Sequence, residues 1–293
     1  FHKKMRDIPR SPRIEELRRK RQKRNLGLAF LLLLTLFLIL IGLSLLSRIR
    51  GFSINQIEIN GNNVIKKNEI ETLVSKHLEG KYIYLFPKSN SLIYPRVKIY
   101  NDLIYSFPRI EDLFVYVEKF KTLKIDITER AGSYLYCGKE IPEEESEVGE
   151  NCYFIDQDGY IFDKAPYFSG NIYFKYFMGL LDNPEDPSGQ EIMAEQSFRN
   201  LVNFIKGISK LGFQSTHIFV DTEGISHLYL KEGDKGLQPE IVFRDQENLN
   251  SVLEDFSLAM KKQEFADEII SKYDDLLYID LRFKNKVFYK FKD

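Results

Sequence analysis

Tryptophan is absent from this 293-residue chain, histidine occurs only four times and cysteine only twice. The histidines His2, His77, His217 and His227 have no metal-ligand spacing. No His-Glu-x-x-His, Gly-x-Ser-x-Gly or phosphate-cradling glycine loop occurs. These absences exclude the common zinc-peptidase, serine-hydrolase and nucleotide-loop routes to catalysis. The expectation is a protein that is not an enzyme, with no cofactor, no metal, no nucleic acid and no small-molecule substrate. Asp156-Gln157-Asp158-Gly159 superficially suggests a calcium loop, but an EF-hand requires a ligand at the next position, where Tyr160 stands. A tight turn is the better reading. Glu143-Glu144-Glu145 reads as a solvated charge run, and Asp274-Asp275 has no recognisable acid–base partner.

Charge is also missing from Leu26 to Leu46, an unbroken apolar run. About 21 helical residues cover roughly 30 Å, the thickness of a bilayer core. A soluble helix needs a polar face, and this one has none. The run is longer than a signal peptide's apolar core and ends Leu-Leu-Ser-Arg rather than in a small-residue cleavage site, so an uncleaved anchor is expected. Residues 1–24 carry eleven Lys and Arg against three Asp and Glu. Such flanks stay on the cytoplasmic side, which places the N-terminus inside and residues 51–293 outside the cytoplasmic membrane, as a single-pass protein. The basic tail is a topology signal, and membrane lipid is a second candidate for what it meets. Residues 1–13, with two prolines and no apolar period, read as disordered.

The exported part carries 29 basic and 40 acidic residues, and its many Tyr, Phe and β-branched residues lean toward sheet. Ile57 and Ile59 share a strand face, and Asn60-Gly61 makes a turn. Residues 67–78 read as a helix with apolar positions 70, 73, 74 and 78, and a second helix lies between about 96 and 107, stopped by Pro108. Strands follow at 113–118 and 123–130. The order is β-α-α-β-β. Beyond residue 132 helices are expected at 195–211, capped by Gly212, and at about 247–262. Strands are expected at 216–221, 225–230, 240–244 and 277–283, with a last strand through Val287, Tyr289 and Phe291. Short turns imply a largely antiparallel sheet. Cys137 and Cys152 sit at the ends of two strand-like segments, so either a disulfide or two buried thiols is open, and export permits the bridge.

The whole layout resembles the FtsQ/DivIB family of bacterial cell-division proteins. Ile57-Glu58-Ile59-Asn60-Gly61-Asn62 looks like the first strand of that family's POTRA domain, and Ile125-Asp126-Ile127-Thr128-Glu129-Arg130 like its last. Residues 152–162 are similar to the family's Asp-Gly hairpin, and Ile279-Asp280-Leu281-Arg282-Phe283 to its C-terminal Asp-Leu-Arg-Tyr signature. Ala131-Gly132 departs from the family, where a proline usually follows the Glu-Arg pair. The resemblance implies an α+β chain: a basic tail (1–25), a transmembrane helix (26–47), a POTRA-like domain (52–130) and a larger, mostly antiparallel β domain with two helices (132–293). It also implies a scaffold role. Family members receive other single-pass division proteins, of the FtsB/DivIC and FtsL kinds, at the C-terminal edge. A POTRA-bearing module for protein export or outer-membrane assembly is the runner-up.

The partner-binding set expected at that edge is Tyr278, Asp280, Arg282, Phe283, Val287, Tyr289 and Phe291. Alternation puts Leu277, Ile279, Leu281 and Phe283 on a core face and Tyr278, Asp280 and Arg282 on the opposite one. An edge strand offers unpaired N–H and C=O groups that a partner strand can bind. Lys284, Lys286, Lys290 and Lys292 either guard that edge or steer acidic partners. On this reading Arg282→Glu spares the core and weakens partner binding.

Overall fold

The computed structural model describes residues 12–142, 151–168, 172–179, 181–183, 185–244 and 248–292. Residues 1–11, the acidic run at 143–145 and residue 247 lie outside the described residues. The architecture is mixed α+β, with one long N-terminal helix, five shorter helices and three sheets among the described residues.

Helix α1 runs Pro12–Ser47. It begins earlier than the apolar run because Glu, Leu, Arg and Lys from 15 to 24 are good helix formers, and Pro12 opens it where a missing N–H costs nothing. Residues Arg19–Ser47 are long and apolar enough to cross a membrane, with Leu26 and Leu46 both exposed.

Two compact units follow from the packing. The first contains the chain up to Asn60, residues 66–102 and residues 114–126. The second takes residues 61–65, 103–113 and everything from 127 onward.

Strand β1 (Gln56–Asn60), helix α2 (Lys67–Leu78), helix α3 (Arg96–Ser106) and strands β4 (Ile110–Glu118) and β5 (Thr122–Glu129) follow the expected order. Their sheet runs β1-β5-β4, with β1 parallel to β5 in register Ile57 with Leu123 and Ile59 with Ile125. The periodic positions Ile70 and Val74 of α2, Ile99 of α3, and Leu123 and Ile125 of β5 are buried. Between the helices lies a two-residue-stranded hairpin that periodicity does not reveal, β2 (Lys81–Tyr82) with β3 (Phe86–Pro87). Gly61 is at φ +80°, and a Cβ there would lie 2.0 Å from the Ile127 carbonyl oxygen, so the Asn-Gly turn admits no side chain.

The second unit holds a nine-stranded sheet. Its strands are β6 (Tyr134–Tyr136), β7 (Tyr153–Ile155), β8 (Ile161–Lys164), β9 (Lys175–Met178), β10 (Ser215–Val220), β11 (Ile225–Leu230), β12 (Glu240–Arg244), β13 (Leu276–Asp280) and β14 (Phe288–Phe291), in spatial order β14-β13-β12-β11-β10-β9-β6-β7-β8. Five neighbouring pairs are antiparallel and three are parallel: β6–β9, β9–β10 and β12–β13. The sheet is thus mostly antiparallel, as expected, with three parallel pairs that short turns do not announce. Helix α4 (Glu195–Lys210) carries the chain from β9 to β10, and α5 (Leu249–Met260) with α6 (Gln263–Ser271) from β12 to β13, while β7 and β8 make the crossover from β6 to β9; a parallel pair requires such a long crossover. Helix α6 is a third helix where two were expected. Its nine residues are too short a window for a clear apolar period, although Phe265 and Ile269 do lie four apart.

One sheet face is covered by the core. Tyr176, Ile218, Leu228, Ile241 and Ile279 alternate inward along five strands and join Phe198, Leu201 and Ile205 of α4 and Phe256 of α5 in one buried cluster. Cys137 and Cys152 form a disulfide at the ends of the antiparallel pair β6–β7, beside Leu135, Phe154 and Ala165. Unreduced, denatured protein should therefore titrate no free thiol, and Cys137→Ser with Cys152→Ser should cost about 3 kcal/mol in chemical denaturation, the entropy of a short closed loop. Two titratable thiols before reduction would contradict the bridge.

Candidate functional site

The C-terminal end of the sheet is where the expected site residues gather. Strand β14 is the terminal strand of the nine, paired on one side only, with Tyr278 opposite Lys290, Ile279 opposite Tyr289 and Asp280 opposite Phe288. The Lys292 N–H donates to the Asp275 carbonyl (2.7 Å), so period-two alternation turns the N–H and C=O of Lys290 toward β13 and those of Tyr289 and Phe291 to the open side. On the other flank of β13, the Leu281 N–H donates to the Val242 carbonyl (2.8 Å), which fits the same phase.

Strand β13 differs from the expected 277–283 in bounds and in phase. A register shift between Leu276 and Tyr278 makes Leu276, Ile279 and Leu281 the buried positions, and Leu277 drops out of the core. Phe283 lies beyond the strand, is 50% exposed, and stacks edge-on against Phe288 at 5.2 Å. It belongs to the surface and not to the core. A bulge is invisible to a strict two-residue period, which is why the sequence misplaces Leu277, while Phe283 is misplaced because the strand ends at Asp280.

Asp280 is buried, and Arg282 is its partner: Nε and Nη2 donate to the two carboxylate oxygens at 2.9 and 2.7 Å, and the Arg282 N–H donates to Oδ1 at 3.0 Å. Burial alone would raise the Asp280 pKa; the Arg282 hydrogen bonds and charge, with Arg244 nearby, outweigh it and hold the carboxyl below its usual value. Arg282→Glu would place a second carboxylate against this one. It is therefore not the clean surface change that alternation suggests.

The sheet face opposite the helices carries further groups that the sequence does not single out. His227 of β11 and Glu240 of β12 meet at 2.9 Å, and this hydrogen bond raises the His227 pKa against the burial that lowers it. His217 of β10 stacks on Tyr229 at 4.5 Å, and burial, with the charge of Lys175, lowers its pKa to about 4. Alternation places these residues on one face, but cross-strand pairing depends on register, which no local pattern states.

On the helix side, Val287 and Phe291 pack against the core cluster, while the Tyr289 hydroxyl donates to Glu268 Oε2 at 2.7 Å and its ring meets Phe265 edge-on. A groove of about 280 Å³ opens between α5 and the β13–β14 connection, lined by Val252, Asp255, Phe256, Leu281, Phe283 and Val287. Asp255 Oδ2 accepts the Asn285 N–H at 3.2 Å and fixes that connection. Lys284 and Lys286 are exposed at its rim, and Lys290 and Lys292 are exposed on β14 and just after it. The structure thus brings Tyr278, Asp280, Arg282, Phe283, Val287, Tyr289 and Phe291 to one sheet edge, with Val287 and Phe291 facing the core side.

The motifs at 129–130 and 156–159 are architectural. Glu129 accepts the N–H groups of Asn63, Val64 and Ile65 at 2.7 to 3.0 Å. Burial would raise its pKa, and these three donors together bring it below the usual value. Arg130 pairs with Asp156, whose Oδ1 also accepts the N–H groups of Asp158 and Tyr160 at 2.9 and 3.0 Å. The Asp156 carboxylate is spent on the turn and on Arg130. Gly159 sits at φ +95°, where a Cβ would come within 2.8 Å of the Phe198 ring. Among the described residues no cluster of three or more His, Cys, Asp or Glu side chains is placed to hold a metal ion.

No family model matches the chain, and no curated protein matches it.

Proposed function

We propose that this chain is a single-pass, non-enzymatic scaffold of the bacterial division machinery, akin to the FtsQ/DivIB family. Its residues 52–130 then serve as a POTRA-like recruiting module near the membrane, and its distal sheet holds the extracytoplasmic segments of other single-pass division proteins. The observation that carries the reading is the open edge of β14, where Tyr289 and Phe291 turn their backbone groups away from the sheet. Supporting it are the apolar helix and the excess of basic residues ahead of it, which orient the chain with its N-terminus in the cytoplasm. Exposed Phe283 and Phe288 supply apolar contact beside the edge, and four lysines supply steering for acidic segments.

Capture from native membranes through an N-terminal tag tests this. Small single-pass proteins with coiled-coil sequences should co-purify. A translocation barrel in their place would favour an export role and contradict the division reading.

A further inference from the structure

The most exposed apolar side chains in the first unit outside α1 lie at the tip of the β2–β3 hairpin, where Ile83 is 81% and Tyr84 92% exposed. Their backbone is unusual. The turn is closed by the Leu85 N–H donating to the Tyr82 carbonyl at 2.9 Å, and both corner residues have positive φ, +47° and +60°. Such a turn is normally built from Asn and Gly, which adopt positive φ without penalty, and a β-branched residue there is a rare outlier. In water this choice gains nothing: it strains the backbone to present two bulky apolar groups to solvent.

The position of the hairpin supplies a reason. The Ser44 hydroxyl, in the last full turn of α1, donates to the Leu85 carbonyl at 2.9 Å, and Ser44 is buried while Leu43, Leu45 and Leu46 around it are exposed. Asn90, just after β3, donates to the Ser47 carbonyl at 2.8 Å and so closes the end of the helix. The hairpin is therefore bonded to the apolar helix within the stretch Arg19–Ser47 itself, one residue from its tip. A second turn of the same kind joins β4 to β5: Lys119 and Phe120 have φ +50° and +60°, and the half-exposed Phe120 ring meets Phe52, five residues beyond α1, at 5.4 Å.

We propose that the Ile83–Tyr84 turn inserts into the polar–apolar boundary of the bilayer that α1 crosses, giving the first unit a second lipid contact beside its anchor. A tyrosine with an apolar body and a polar tip suits that layer, and the exposed Lys81 at the hairpin base can reach headgroup phosphates. The inference rests on reading α1 as a membrane span.

The chain has no tryptophan, so Tyr84→Trp creates a sole indole reporter at a surface position. The full-length variant is reconstituted in vesicles of phosphatidylcholine and phosphatidylglycerol, with lipids brominated near the glycerol backbone or deep in the chains. Phe37→Trp, mid-helix in α1, reports on the span itself. Lipid insertion predicts that the emission of the position-84 reporter is blue-shifted, quenched most by shallow bromines and shielded from aqueous iodide, while the position-37 reporter is quenched by deep ones. Free quenching of the position-84 reporter by iodide, or shielding from iodide and bromine alike, with position 37 still quenched by lipid, overturns the insertion and leaves the anchor standing. Failure of any brominated lipid to quench position 37 overturns the anchor and this proposal with it.

Discussion

Replacing Tyr289 with proline should weaken partner capture on the order of tenfold or more while the fold loses only about 1–2 kcal/mol and stays assembled. The Tyr289 N–H points to the open side of β14, so proline removes no bond to β13, and its ring obstructs an incoming strand at the position that would accept it. What the domain loses internally is the Tyr289 hydroxyl bond to Glu268 and the ring contact with Phe265, about 1–2 kcal/mol together at a partly exposed site. Two companions separate the effects. Tyr289→Ala removes the same side chain but keeps the N–H, and should retain most of the binding. Lys290→Pro removes an N–H that faces β13, and should lower stability instead. Affinity for co-purified partners and a thermal melt of each variant decide it. Equal loss of binding in the alanine variant would assign the effect to the side chain and not to strand addition.

Arg130→Ala should destabilise the second unit by about 3–5 kcal/mol, because it leaves the buried Asp156 carboxylate without its cation. Arg130 is mostly covered, bonds Asp156, and lays its guanidinium 4.2 Å above the Tyr160 ring. Asp156 in turn pins the turn that leads into β8. Lysine is a poor substitute, since it has no planar group to stack while it pairs. Asp156→Asn keeps an acceptor for the Asp158 and Tyr160 N–H groups and should cost less than Asp156→Ala. Urea denaturation of residues 51–293 carrying each change gives the order. A cost within ±0.5 kcal/mol for Arg130→Ala, the range of an ordinary surface position, would contradict the structural role.

What the sequence discloses and what it hides divide along a physical line. Helix α2 is read to the residue, at 67–78, because its apolar spacing is local and Gly80 follows it. Helix α4 is legible for the same reason, and the edge position of the last strand is suggested by its place at the end of the chain. The cysteines' placement at strand ends is legible too, although only the fold decides that they are bridged. Hidden are features that depend on contacts far along the chain: the β2–β3 hairpin braced by α1, the parallel pairs made by crossovers, and the register shift that moves Leu276 in and Leu277 out. At the candidate site, alternation finds Tyr278, Asp280 and Arg282 on one face. It does not find that Asp280 is buried or that Arg282 is committed to it.

The most direct test of strand docking at the C-terminal edge is photo-crosslinking in living membranes with a benzophenone amino acid in place of Phe288, which is 46% exposed on β14. The same group in place of Lys164, exposed on β8 at the opposite edge of the sheet, is the control. The account predicts one or two small single-pass membrane proteins crosslinked from position 288 and not from 164, with the position-288 adduct lost when Tyr289→Pro is added. Identical crosslinks from both edges, or none from position 288 in a correctly inserted protein, would contradict it.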